Sequence, residues 1–273
     1  MIQNDSEIKK KEKEFWEDAS CGERLYLDAP DRDGYFNHSL KRYELEPEIL
    51  GFAGFDQYGG RKVLEIGLGL GADHQKWAEG ATELYGMDLT WRAIEHTQRR
   101  FTLFGLTSHL MNADAEHLPF PDNSFDVVYS WGVLMCTPDT PTAIQEVYRV
   151  LKPGGVAKVM IYHKYSMVGF MLWLRYALFR CRPFMPLLYI YMNYLESPGT
   201  KAYTTAEARE LFKGFDIKAI DTFLTHGDLL TSPAGQRHQG PLLTIARKIW
   251  PRGPIRHLFP KVGLFMTIEA VKP

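Results

Sequence analysis

Glu65-Ile66-Gly67-Leu68-Gly69-Leu70-Gly71 sets three alternating glycines directly behind an acidic residue at the end of an apolar run. Glycines between a strand and a helix let the backbone turn tightly and let a ligand approach the amides closely. Alone, the loop leaves two readings open: a cofactor cradle, which dinucleotide dehydrogenases also use, or a purely structural turn. Asp88 ends the next apolar run, and a carboxylate there can accept from both hydroxyls of an adenosine ribose. It can equally cap the helix that follows. Asn112-Ala113-Asp114-Ala115-Glu116 then brings an Asp-Ala pair, able to offer a carboxylate and a backbone amide to an adenine edge. A nicotinamide enzyme has no need of this third element.

These residues require strand ends to hold them. Lys62–Gly67, Glu83–Leu89, Ser108–Asp114, Phe125–Trp131 and Val156–His163 read as short apolar strands. Helical segments are expected over Ala72–Glu79, Trp91–Phe104 and Thr140–Leu151, the last stopped by Pro153-Gly154-Gly155. Alternating strands and helices imply a parallel sheet covered on both faces. After an expected helix over Thr204–Phe212, Phe215–Leu224 and Val262–Val271 read as two further strands. Before the sheet, residues 1–60 read as a partly helical extension. Its first helix is capped by Ser6 and anchored by Phe15 and Trp16.

From about Arg61 to His163 the chain resembles the class I S-adenosylmethionine-dependent methyltransferases, in particular the ubiquinone/menaquinone biosynthesis type with a type 11 methyltransferase domain. VLEIGLGLG, Asp88, NADAEHLPFPDNSFDVVYS and EVYRVLKPGG carry the resemblance. It implies an α/β, Rossmann-like seven-stranded sheet, six strands parallel and the last antiparallel. It also implies S-adenosyl-L-methionine as cofactor, leaving as S-adenosyl-L-homocysteine. Glu65, Gly67 and Gly69 would then surround the amino acid end, with Asp88 on the ribose and Leu89 against the adenine. Asp114 and Ala115 would address the ring, and Ser130 and Trp131 the methionine part. Tyr43 resembles an aromatic of the N-terminal cover that reaches the cofactor carboxylate, with packing as its alternative role. Where relatives often carry histidine after the fourth strand, this chain has Met135-Cys136, and Cys136 reads as an inert buried thiol.

Methyl transfer from a sulfonium is a direct displacement, so the protein mainly aligns the acceptor and excludes water. A base is needed only where the acceptor must lose a proton. The candidates are His163 at the open edge of the sheet, Glu196 in ESPGT, and Tyr203.

The expected organisation is an N-terminal extension (1–60), the cofactor-binding core (61–163), an apolar helical insertion (164–203), and the end of the core (204–273) with a basic insertion at 226–260. Tyr165–Leu195 is rich in Met, Phe, Leu, Trp and Tyr and contains no acid. It reads as two short helices covering the acceptor site, and basic residues beside Trp and Leu also suit peripheral contact with a membrane. The acceptor is expected to be a small, apolar or amphiphilic molecule. A net charge of −1 argues against nucleic acid. Three widely separated cysteines show no metal-ligand spacing and suit a reducing, cytoplasmic setting. The N-terminus lacks the apolar stretch of a signal peptide. A non-catalytic cofactor-binding module and a nicotinamide-dependent oxidoreductase are the competing readings.

Overall fold

The computed structural model describes residues 5–80, 83–232 and 241–273. Four helices come first: α1 (Asp5–Asp18), α2 (Glu23–Tyr26), α3 (Arg32–Leu45) and α4 (Glu48–Ala53). The alternating core follows as β1 (Lys62–Ile66), α5 (Ala72–Glu79), β2 (Glu83–Asp88), α6 (Trp91–Phe104), β3 (His109–Asn112), β4 (Phe125–Trp131), α7 (Thr140–Val150) and β5 (Leu151–Tyr162). Then come α8 (Met167–Tyr176), a short 3₁₀ turn (Leu178–Arg180), α9 (Leu187–Tyr194), α10 (Thr205–Leu211) and β6 (Asp216–Phe223). The chain ends with α11 (Pro241–Ile249), α12 (Arg252–Leu258) and β7 (Phe265–Val271).

The seven strands form one sheet in the order β3-β2-β1-β4-β5-β7-β6. Only β7 runs antiparallel to its neighbours, β5 and β6. The sheet is therefore the expected one, with the last strand wedged inside the edge. The central strands β1 and β4 are apolar and almost wholly buried, as sheets covered on both faces require. β3 is short and β6 largely exposed, which suits edge strands. Winding reverses between β1 and β4, and such a switch point opens a crevice at the carboxyl ends of the strands.

Three local expectations are corrected. α7 ends at Val150, ahead of Pro153-Gly154-Gly155 as expected, but the next strand does not wait for Val156. β5 begins at once with Leu151 opposite Phe125, and a register shift before Val127 absorbs the Pro-Gly-Gly. A bulge tolerates a proline that lacks an N–H to donate. Ser6 lies inside α1 rather than capping it, and the buried residues of that helix are Ile8 and Glu12. Phe15 and Trp16 are only half-buried, because they face cavities rather than core. The cap of α6 is Thr90, whose side chain accepts from the Ala93 amide, so Asp88 is left for other partners. Of the basic insertion expected at 226–260, residues 233–240 lie outside the described residues.

Candidate active site

A narrow cleft of about 170 Å³ lies over the carboxyl ends of β1, β2 and β4. Its floor is the glycine loop. Gly67 sits at φ +86°, and a Cβ there would lie 2.1 Å from Val133 Cγ2, so only glycine lets the loop pass under the β4 end. At Gly69, φ +52°, a Cβ would meet nothing within 4 Å and would project into open space. Asp88 ties this loop to β2. Its Oδ2 accepts from the amides of Leu68 (2.9 Å) and Gly69 (3.4 Å), and its Oδ1 accepts from the amide (2.9 Å) and hydroxyl (2.8 Å) of Thr90. Burial pushes the Asp88 carboxyl up, and these hydrogen bonds oppose that.

Glu65 is fully covered and touches the cleft. Ser108 Oγ donates to the Leu84 carbonyl, so it accepts from His74 Nε2 at 2.7 Å. His74 Nδ1 is then the acceptor, and Glu65 Oε2, 2.9 Å away, must carry the proton. Burial and the nearby Asp73 charge, which hold Glu65 well above the usual carboxylate range, agree with this neutral acid.

The second carboxylate is Asp73. Arg42 donates to it through Nε (2.9 Å) and Nη2 (2.7 Å), Tyr129 donates at 2.9 Å and Tyr43 at 3.1 Å. Burial raises its pKa, but the arginine charge and the donated bonds outweigh burial and leave it lowered.

The N-terminal helices roof the cleft. Lys9 on α1 pairs with Asp114 at 2.6 Å and with Glu116. Glu17 accepts from the free amides of Trp91 and Arg92 at the α6 N-terminus, both at 3.0 Å. Carboxylates at that end of a helix satisfy its orphan donors.

A second, larger cavity of about 380 Å³ adjoins the cleft. Trp16, His38, Arg42, Glu46, Tyr162 and Glu196 line both. The walls of the second cavity are mostly apolar: Leu25 and Leu45 from the extension, Val168, Met171 and Leu172 from α8, and Leu243, Ala246 and Trp250 from α11. Polar groups collect where the two meet. Trp131 Nε1 donates to Glu46 Oε2 at 2.9 Å, and Tyr162 donates to Glu196 Oε2 at 2.8 Å. His38 Nδ1 is buried without a partner. Burial, with Arg100 and Arg42, holds its pKa at about 3, so the imidazole is neutral.

Of the residues expected from sequence, Glu65, Gly67, Gly69, Asp88, Leu89, Asp114, Ala115 and Trp131 line the cleft together. Ser130 is buried behind it, its hydroxyl donating to the Ile66 carbonyl. Tyr43 directs its hydroxyl to Asp73 rather than forming the cleft wall. Among the acid–base candidates, Glu196 lines both cavities. His163 and Tyr203 bridge each other through their backbones and form neither wall, with His163 Nδ1 3.2 Å from the Gly263 carbonyl. Cys136 is buried at the cleft, and burial pushes its thiol up, as an inert role requires. The sequence reading missed Lys9, Glu12, His38, Arg42 and Glu46. Their spacing was the available signal: 38 and 42 are four apart on α3, and 9, 12 and 16 fall on one face of α1.

Residues 64–159 match the family model described as a methyltransferase domain. That segment carries a methyltransferase domain, and the fold is that of S-adenosylmethionine-dependent methyltransferases. A probable phthiotriol/phenolphthiotriol dimycocerosates methyltransferase 2 of Mycobacterium ulcerans is 41% identical over 98 residues, 35% of this chain and 37% of that protein. The phthiotriol/phenolphthiotriol dimycocerosates methyltransferase of Mycobacterium leprae is 40% identical over 98 residues, 35% of this chain and 36% of its own. The match thus spans little more than a third of the length of these curated relatives. A SAM-dependent methyltransferase of Aquifex aeolicus shares the fold over 99% of this chain and 100% of its own, with TM-score 0.53 and 15% identity. So does the cyclase SpnF, with TM-score 0.55, 17% identity and 87% and 82% coverage. The methyltransferase fold therefore does not by itself fix the reaction. The cleft fits the domain's cofactor: a glycine loop leaves space at Gly69, a carboxylate stands at the β2 end, and an unpartnered Glu12 carboxyl oxygen is buried above it.

Proposed function

We propose that the protein is an S-adenosylmethionine-dependent methyltransferase whose acceptor is an apolar or amphiphilic small molecule. One observation carries this reading: the cofactor cleft shares a polar wall with a larger apolar chamber. When bound, the cofactor supplies a methyl group already activated on a sulfonium. The protein's part is to align the acceptor and keep water out, worth ~7–11 kcal/mol for a well-oriented pair. The chamber walls hold the apolar body of the acceptor and direct its polar end to the shared wall. Glu196, held by Tyr162, takes the proton when a hydroxyl acceptor must lose one. The mycobacterial relatives are named for phthiotriol and phenolphthiotriol dimycocerosates, which supports an apolar acceptor here.

Calorimetry should show S-adenosylhomocysteine binding and no NAD binding; the reverse would overturn the reading. Met171→Trp narrows the chamber without touching the cleft. It should keep S-adenosylhomocysteine affinity while turnover of an apolar acceptor falls roughly 100-fold, the scale of a small misalignment. Replacing the whole α8–α9 segment is a poorer test, because Ala177, Ile190 and Tyr191 are fully buried core residues.

The same reading places the chamber at a bilayer surface. Phe179 and Phe184, 72% and 95% exposed, stand among Arg180 and Arg182, and Ile249 and Leu258 are exposed on α11 and α12. No helix among the described residues is long and apolar enough to cross a membrane. Exposed aromatics among arginines suit an interfacial position instead. Sedimentation with anionic vesicles should show binding that weakens as salt rises, and weakens further in Phe184→Ser. Binding that ignores both changes would remove the membrane contact and leave the methyltransferase reading intact.

A further inference from the structure

His38, Arg42, Glu46, Tyr162 and Glu196 line both cavities. All but His38 are engaged there. Arg42 donates twice to Asp73, Glu46 accepts from Trp131, and Tyr162 donates to Glu196. His38 is only 5% exposed, and among the described residues no hydrogen bond reaches either ring nitrogen. A buried imidazole with neither group satisfied costs stability, so its retention between two cavities calls for a ligand. The two nitrogens have different surroundings. Nδ1 is the covered one. On the same face of α3, fully buried Arg100 donates to the Tyr35 carbonyl and, at 3.0 Å, to Ser39 Oγ. Beside that cation a bare lone pair is favourable and a further N–H is not. Nε2 lies at the chamber: a Cβ on Gly22, which lines it, would be 3.8 Å away. Burial, with Arg100 and Arg42, keeps the ring neutral, so it carries a single proton. That proton belongs on Nε2, and His38 offers the chamber an N–H donor.

We propose that His38 selects a hydroxyl compound as methyl acceptor, its Nε2–H donating to the acceptor oxygen while the hydroxyl proton points to Glu196. The proposal rests on the methyltransferase reading above. A hydroxyl oxygen has two lone pairs. His38 takes one and leaves the other for the methyl. The oxygen bonds to the methyl carbon as the carbon–sulfur bond breaks, its proton passes to Glu196, and S-adenosylhomocysteine is the leaving thioether. The same N–H steadies negative charge that develops on the oxygen as the proton departs. An amine has a single lone pair, and an N–H donated to it would block the attack. Glu46 and Glu196 in the shared wall disfavour a carboxylate. The choice of attacking atom therefore comes from α3, outside the segment that matches the family model.

The test is calorimetry with 4-propylphenol and with propylbenzene, which lacks the hydroxyl, each at saturating S-adenosylhomocysteine. His38→Phe should bind 4-propylphenol about tenfold more weakly than wild type, the scale of one hydrogen bond, and bind propylbenzene unchanged. His38→Gln keeps an N–H donor and should recover most of the loss. The melting temperature of His38→Phe should stay near that of wild type, because the covered Nδ1 has no bond to lose. Nitrogen-15 spectra of histidine-labelled wild type give an independent readout. The His38 Nε2–H signal, assigned by its absence from His38→Phe, should move on adding 4-propylphenol and stay put with propylbenzene. A His38→Phe protein that binds 4-propylphenol as wild type does, or that weakens both probes alike, would overturn the proposal. So would methyl transfer to 4-propylaniline in preference to 4-propylphenol. A wild type that binds neither probe would instead overturn the apolar-acceptor reading of the chamber.

Discussion

Asp88→Ala should bind S-adenosylhomocysteine roughly 10–150-fold more weakly than wild type, from the ~1.5–3 kcal/mol of a hydrogen bond to a charged group. The carboxylate already accepts four bonds, two from the glycine loop and two from Thr90. Its two oxygens offer about four lone-pair sites in all. The ribose diol must therefore replace some of these bonds, and the long 3.4 Å contact from Gly69 is the weakest to give up. The substitution also frees the loop that floors the cleft, so the loss should lie toward the upper end. Thr90→Ala separates the two effects. It removes a cap worth ~1 kcal/mol of stability but leaves the carboxylate in place, so affinity should change little. A folded Asp88→Ala protein with wild-type affinity would show that the ribose is held elsewhere.

Arg42→Met should destabilise the fold by about 3 kcal/mol, the lower end of the cost of stranding one member of a buried ion pair. The lower end applies because Arg42 keeps 22% of its side-chain surface exposed, against 3% for Asp73. For a chain of this size the melting temperature should drop by roughly 6–12 °C. The pH dependence has a fixed sign. Folding lowers the Asp73 pKa despite burial, because Arg42, Tyr129 and Tyr43 outweigh it. This contribution is therefore fully present above the unfolded-state pKa of ~3.9 and is lost as pH falls through the folded value. Without Arg42, Asp73 loses its main lowering partner and can shed its charge by protonation. The stability gap between the two proteins should be widest near neutral pH and should narrow in acid. A gap that stays constant from pH 7 to pH 3 would show that Arg42 contributes packing rather than charge.

Much of the core was legible in the chain because its signals are local. The ranges of α5, α6 and β4 match the sequence reading residue for residue. In each, an apolar period of 3.6 or an unbroken buried run lies between clear boundaries such as Thr90 and Gly105. That Glu65, Gly67, Gly69, Asp88 and Asp114 gather at one cleft was legible for the same reason. A parallel sheet places consecutive strand ends along one crevice, so chain order becomes spatial order. The start of β5 at Leu151 rather than Val156 was not legible, because a bulge is set by the partner strand, and β4 lies 20 or more residues upstream.

By itself, then, the sequence determined the doubly covered sheet, the glycine loop and the carboxylates at the strand ends, since each depends on neighbours a few residues away. Only the tertiary structure decided what closes over them. Lys9 meets Asp114 and Arg42 meets Asp73 across 105 and 31 residues. The chamber joins α2 and α3 of the extension to α8 and α11, segments that share no motif. It also set two base candidates apart, with Glu196 lining both cavities and His163 lining neither. Both follow β5, but backbone pairing with Tyr203 holds His163 at the sheet, while the Tyr162 hydroxyl draws Glu196 to the wall between the cavities. Which side chain meets a cavity depends on the helices packed around it, and that packing is fixed by burial over the whole chain rather than by local spacing.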